Sequence, residues 1–162
     1  VKKLRELTGA GMMDCKRALE ESDGEFDKAV ELLRIKGAKD VGKREARTAS
    51  NGLVVAHLVG SDHGVLLELN CETDFVAKTE GFQSLAADVS SFVATNQPGD
   101  VAELMAAEIQ ADKTIQQLLD EANMTMGEKI EIRRFARFDS GSVYVYLHKH
   151  DPALPPSVGA LV

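Results

Sequence analysis

An α+β fold is predicted for this chain, and three observations predict it. The first 38 residues carry three short apolar stripes at helical spacing, separated by glycine-containing breaks. Two β-rich runs then flank a short loop that begins and ends in glycine, the pattern of an antiparallel hairpin. A long amphipathic stripe follows, and a second pair of β-rich runs lies near the end. Strands grouped with strands and helices grouped between them describe helices packed on an antiparallel sheet.

The first helix is predicted over Val1 to Thr8, with Leu4 and Leu7 on one face. Thr8-Gly9-Ala10-Gly11 breaks it, and a second helix begins near Met12. Asp14 lies in its first turn, where a carboxylate complements the helix dipole. Cys15, Ala18 and Leu19 recur on its stripe, and Ser22-Asp23-Gly24 ends it, Gly24 suiting a left-handed position past a helix end. The third helix carries Phe26, Ala29, Val30 and Leu33 and is expected to stop at Gly37. Three helices of this length enclose a thin core. Residues 1–38 are read as this helical unit, 39–51 as a basic, partly helical linker, and 52–162 as the α+β core. Between Lys36 and Arg47 stand five basic and two acidic side chains with no aromatic to stack on a base. A solvated linker therefore outweighs a nucleic-acid contact there.

In the core, Leu53 to Val59 and Val65 to Cys71 are predicted strands joined by Gly60-Ser61-Asp62-His63-Gly64. The second alternates Val65, Leu67, Leu69 and Cys71 with Leu66, Glu68 and Asn70, so one face is continuously apolar. Phe82, Leu85, Ala86, Val89 and Val93 mark a long helix that Pro98-Gly99 stops. Shorter helices are expected near Val101 to Ile109 and Lys113 to Glu121. Ile130 to Phe138 and Val143 to His148 are expected to form a second hairpin across Asp139-Ser140-Gly141. A last apolar run, Val158 to Val162, has the look of a strand that is cut short.

Composition narrows the function classes. The chain is 44% apolar and 28% charged, ordinary for a globular protein, and no apolar run approaches the ~20 residues that span a bilayer. No membrane association is expected. A net charge of −7 speaks against a general nucleic-acid binder, which needs a basic face. Residues 61–121 hold 12 acidic and 2 basic side chains, read as solvated helix faces. Val1-Lys2-Lys3-Leu4-Arg5 has no apolar stretch behind its charges, so no signal peptide is expected. Cys15 and Cys71 lie far apart and are read as buried free thiols of a reducing compartment, and the chain is expected in the cytoplasm.

No catalytic constellation stands out. No glycine-rich phosphate loop is present, so no nucleotide is expected to bind directly and no cofactor is implied. His57, His63, His148 and His150 lack the spacing of a helical zinc site. His148 and His150 alternate on one strand face, where a surface pair is favoured over a chelate. No base–nucleophile pairing is visible, which weighs against an enzyme. The most informative stretch is Asn70-Cys71-Glu72-Thr73-Asp74-Phe75-Val76-Ala77-Lys78, where a strand gives way to a helix. Thr73 and Asp74 are good N-cap types, and a cap there would fix where Phe75 points. Taken alone, Phe75 is as good a core aromatic as a displayed one. Met12 and Met13 open the second helix about 100° apart, so at least one points away from the small core; a flexible thioether there suits a partner surface, and half-burial of both is an equal alternative.

Three of these motifs resemble one family. Leu4-Arg5-Glu6-Leu7-Thr8-Gly9-Ala10-Gly11-Met12-Met13-Asp14-Cys15-Lys16 is similar to the N-terminal signature of translation elongation factor Ts. Glu72-Thr73-Asp74-Phe75-Val76-Ala77-Lys78 resembles its second signature, and Gly127-Glu128-Lys129-Ile130-Glu131-Ile132-Arg133-Arg134 a third, in family order. The resemblance implies a ubiquitin-associated-like three-helix domain before the α+β core. It implies a guanine-nucleotide exchange factor that promotes GDP release from the GTPase elongation factor Tu. It implies that Asp74 and Phe75, flanked by Thr73 and Val76, enter the partner's GTPase domain beside switch II and the magnesium site. Leu4, Arg5, Met12 and Met13 would touch the same domain. His148, in Tyr146-Leu147-His148, would approach its phosphate-binding side. The chain departs from the family at Lys149, where a glycine is usual, and 149–156 resembles an inserted loop. The family core also contains a second subdomain beyond residue 162. Because Gly11-Met12 also suits ubiquitin recognition, a ubiquitin receptor is the competing expectation.

Overall fold

Three helices open the chain in the computed structural model, which describes residues 1–162. They are α1 (Lys2–Thr8), α2 (Met12–Glu21) and α3 (Phe26–Arg44). Gly9, left-handed at φ 67°, closes α1 by donating to the Arg5 carbonyl. Leu4, Cys15, Ala18, Ala29 and Leu33 meet in a small core, as the three stripes require. The ubiquitin-associated-like arrangement fits these helices.

The third helix does not stop at Gly37 but runs on to Arg44. Glycine is a poor helix former by about 1 kcal/mol, and here a tertiary contact overrides that preference. A Cβ on Gly37 would lie 2.0 Å from the Met124 sulfur, so the absent side chain lets α3 press against a helix of the core. The basic segment is also less solvated than its composition suggests. Arg44 Nη1 donates to the carbonyl and side-chain oxygens of Asn123 (3.2 and 2.8 Å). Lys129 Nζ donates to the carbonyls of Glu45 and Arg47.

The core begins with strands β1 (Asn51–Val59) and β2 (His63–Cys71), an antiparallel hairpin in unbroken register from Asn51 opposite Cys71 to Val59 opposite His63. Helices α4 (Asp74–Ala77), α5 (Glu80–Asn96) and α6 (Val101–Ala106) follow. The helix expected to reach Ile109 ends at Ala106. A short ribbon of β3 (Glu108–Gln110) and β4 (Lys113–Thr114) turns the chain through Asp112, left-handed at φ 61°. Helix α7 (Ile115–Met126) then starts on a capping box, Thr114 bonding Gln117 reciprocally. Its left-handed Gly127 leads into β5 (Glu131–Phe138).

The second hairpin is not formed. β5 pairs antiparallel with β2, giving the order β1-β2-β5. The last strands, β6 (Val145–His148) and β7 (Val158–Leu161), pair with each other in a separate sheet. The free edge of β2 lets β5 bring Ile132 into the main core and half-bury Phe135 against it, a gain the local turn cannot offer. The chain then leaves the sheet through Val143, whose amide donates to the Ser61 carbonyl. The result is three layers. The Leu53, Leu67 and Leu69 face of the main sheet packs on Phe82, Leu85, Val89 and Val93 of α5. Its opposite face is covered by β6 and β7, where a Cβ on Gly159 would meet Val54, Leu66 and Leu147 within 2.9 Å.

Candidate functional site

The junction after β2 is clamped from two sides. Thr73 is extended (φ −129°, ψ 155°) and caps α4, its Oγ1 accepting from the Val76 amide at 3.4 Å. The Glu128 carboxylate, just past α7, accepts from the amides of Glu72 (3.1 Å) and Thr73 (3.0 Å) and from the Thr73 hydroxyl (2.5 Å). In return, the Glu72 carboxylate accepts from the Lys129 amide at 2.7 Å and from Arg47 at 3.3 Å. Asn51 Nδ2 donates to the Glu72 carbonyl at 2.7 Å. The second and third sequence motifs are thus two halves of one hydrogen-bonded latch.

Phe75 stands on the outer side of this latch and is 69% exposed. An exposed phenylalanine on a rigid turn is displayed, not packed. The Lys78 ammonium sits 4.7 Å from its ring centroid. Val76 is half-buried against the core. Asp74 lines a polar cleft of about 270 Å³ with Asn51, Asn70, Glu68, His150 and Asp151. Beneath the tip, Cys71 is fully buried, and its Sγ donates to the Thr73 carbonyl. Burial, with the Glu128 charge adding, pushes that thiol up to about 12, so it stays protonated at neutral pH.

The remaining sequence-assigned residues lie on other elements. Met12 (60% exposed) and Met13 (62%) both project from the start of α2, and Arg5 is exposed on α1. Leu4 is 0% exposed, sealed in the small core by its helical stripe, so it supports this surface from within. Leu7, 65% exposed, is the apolar side chain that α1 presents outward. His148 is exposed on β6, with Tyr146 Oη 3.1 Å from its Nδ1 and the His150 ring edge-on at 5.0 Å. No third metal-ligating side chain joins this pair.

Sequence reasoning passed over Lys78, Arg47 and Asn51. Lys78 was detectable, because it lies three residues after Phe75 on the same helical face. Arg47 and Asn51 carry no local signal, since their partner Glu72 is more than 20 residues away.

Glu72 gives the latch a pH signature. The Lys129 amide bond holds its carboxyl below the ordinary value of 4.5, burial opposes this, and Arg47 reinforces it. A carboxyl depressed on folding contributes stability that is fully present above its unfolded value and lost as pH falls through the folded one. Acid unfolding of the wild type is therefore expected to steepen below about pH 4.5. Glu72→Gln, which cannot titrate, should flatten that limb in circular-dichroism titrations. An unchanged limb would remove Glu72 from the latch's energetics.

A sequence model described as Elongation factor TS matches residues 72–162, which begin at Glu72 and take in both halves of the latch. The chain belongs to the elongation factor Ts family. Over its whole length it is 59% identical to Elongation factor Ts of Thermobifida fusca, covering 58% of that protein. It is 58% identical to the Streptomyces griseus protein of the same name and 57% identical to that of Mycobacterium tuberculosis, covering 59% and 57% of them. The chain thus spans a little under three-fifths of these elongation factor Ts relatives.

Proposed function

We propose that this chain binds the GTPase elongation factor Tu and promotes GDP release during translation elongation. The observation that carries the reading is the exposed ring of Phe75 on a four-residue helix whose base is latched to Glu128. Membership of the elongation factor Ts family supplies the partner. In this reading 1–38 is one arm, joined through 39–51 to the core, 52–162, that carries the second. Arg5, Met12 and Met13 hold the GTPase domain, with Leu4 beneath them, while Asp74 and Phe75 enter beside switch II and His148 approaches the phosphate side. The chain itself holds no nucleotide and acts in the cytoplasm.

The mechanism needs no bond chemistry. A GTPase grips GDP through backbone N–H groups and a magnesium ion with few protein ligands, so small displacements there weaken the nucleotide. Burying one phenylalanine in a partner pocket contributes ~1.5–3 kcal/mol. That energy holds a conformation that binds GDP poorly. By linkage, GDP must weaken this chain's binding by the same factor.

Stopped-flow release of a fluorescent GDP from elongation factor Tu tests the proposal. Purified chain should accelerate release in a concentration-dependent way, and an unchanged rate at saturation would reject it. Arg5→Ala and Met12→Ala should each weaken partner affinity by roughly 3- to 10-fold in calorimetry. Unaltered affinity in both would take the three-helix arm out of the contact.

A further inference from the structure

Glu128 lies 55 residues from Thr73 in sequence yet makes three bonds to the base of the tip. We infer that Glu128 is a positioning residue for exchange: its carboxylate fixes the Glu72–Thr73 backbone and the Thr73 hydroxyl, so that Phe75 is held in one outward direction. The inference rests on the reading of Phe75 as the group that enters the partner.

Local bonds alone do not fix this tip. α4 has four residues, far below the length at which a helix persists unaided. The cap bond from Val76 to Thr73 is long, at 3.4 Å. Ala77 and Val76 seat the helix on the core and Asn51 holds the Glu72 carbonyl, but the charged acceptor at the Thr73 amide and hydroxyl is Glu128, and charge-assisted bonds form the strong class. Its Oε2 takes both backbone amides, and its Oε1 takes the hydroxyl proton. That hydroxyl keeps its lone pairs for Val76, so the cap and the clamp share one oxygen. Glu128 is in turn anchored on a rigid element. It follows Gly127, which closes α7, and Arg44 grips the last turn of α7 at Asn123. A displayed ring held this way loses little freedom on docking, so more of its burial energy reaches the partner.

The test separates aim from fold and from affinity. Glu128→Ala is measured for partner affinity and for the maximal GDP-release rate at saturating chain. The maximal rate should fall about tenfold, while affinity, held by the three-helix arm, changes less than about threefold. Thr73→Val removes the hydroxyl at constant shape and carries the same expectation should Glu128→Ala fail to fold. Thr73→Ser should restore the rate. With Phe75→Ala already present, Glu128→Ala should slow release no further, the non-additivity of residues acting as a unit. A full maximal rate in folded Glu128→Ala, or a loss that adds to that of Phe75→Ala, overturns the inference. If Phe75→Ala alone leaves release unchanged, the reading beneath it fails and the inference falls with it.

Discussion

Phe75→Ala is expected to slow catalysed GDP release by roughly 10- to 150-fold, the range that ~1.5–3 kcal/mol of lost burial implies. The fold should hardly notice. The ring is 69% exposed, and its cation–π contact with Lys78 is of the exposed class worth ~0.5–1 kcal/mol. For a chain of this length that corresponds to a shift in thermal midpoint of no more than about 4 °C. Stopped-flow release and a thermal melt on the same preparation check both halves. A normal release rate at equal stability would reject the displayed-lever reading. A large fall in the midpoint would show that the ring supports its own fold.

The sequence made some of this legible and hid the rest for physical reasons. The α5 stripe of Phe82, Leu85, Ala86, Val89 and Val93 is buried throughout, because a 3.6-residue period survives any tertiary context that packs one face. Thr73 was recognisable as a cap from residue type alone, since the cap bond is local. Gly37 misled in the opposite way. Locally it ends a helix, but the contact that explains it is made by Met124, remote in sequence. The pairing of β5 was hidden for the same reason. Asp139-Ser140-Gly141 is a competent turn, yet β2 offered an open edge above α5 and won the strand. Glu128 is the sharpest case. Its motif resembled a family signature, but no periodicity, cap rule or spacing announces a carboxylate that closes on amides 55 residues earlier. Phe75 stayed undecided because a four-residue helix has too few positions to show a stripe.

Phe82→Ala should give the opposite result from Phe75→Ala. Phe82 is 0% exposed and is the largest fully buried side chain of the core. Truncating such a ring costs about 3–5 kcal/mol from lost transfer energy and the cavity left behind. Against a total stability of about 5–15 kcal/mol, that is a large fraction, expected as a fall of roughly 6–20 °C in the core's melting midpoint. The two phenylalanines are seven residues apart, a spacing that would place them on one face of a continuous helix. They diverge because Thr79 is extended (φ −70°, ψ 145°) and restarts the helix, its hydroxyl accepting from the Phe82 amide itself. α5 therefore takes its own direction, with Phe82 turned into the sheet and Phe75 left outside. Because the Glu128 latch holds the tip from the side of α7, release per folded molecule at 25 °C should fall less in Phe82→Ala than in Phe75→Ala. A midpoint change under about 3 °C would place Phe82 outside the core's energetics. Equal losses of release in both variants would mean that α5, not the latch, sets the aim of the ring.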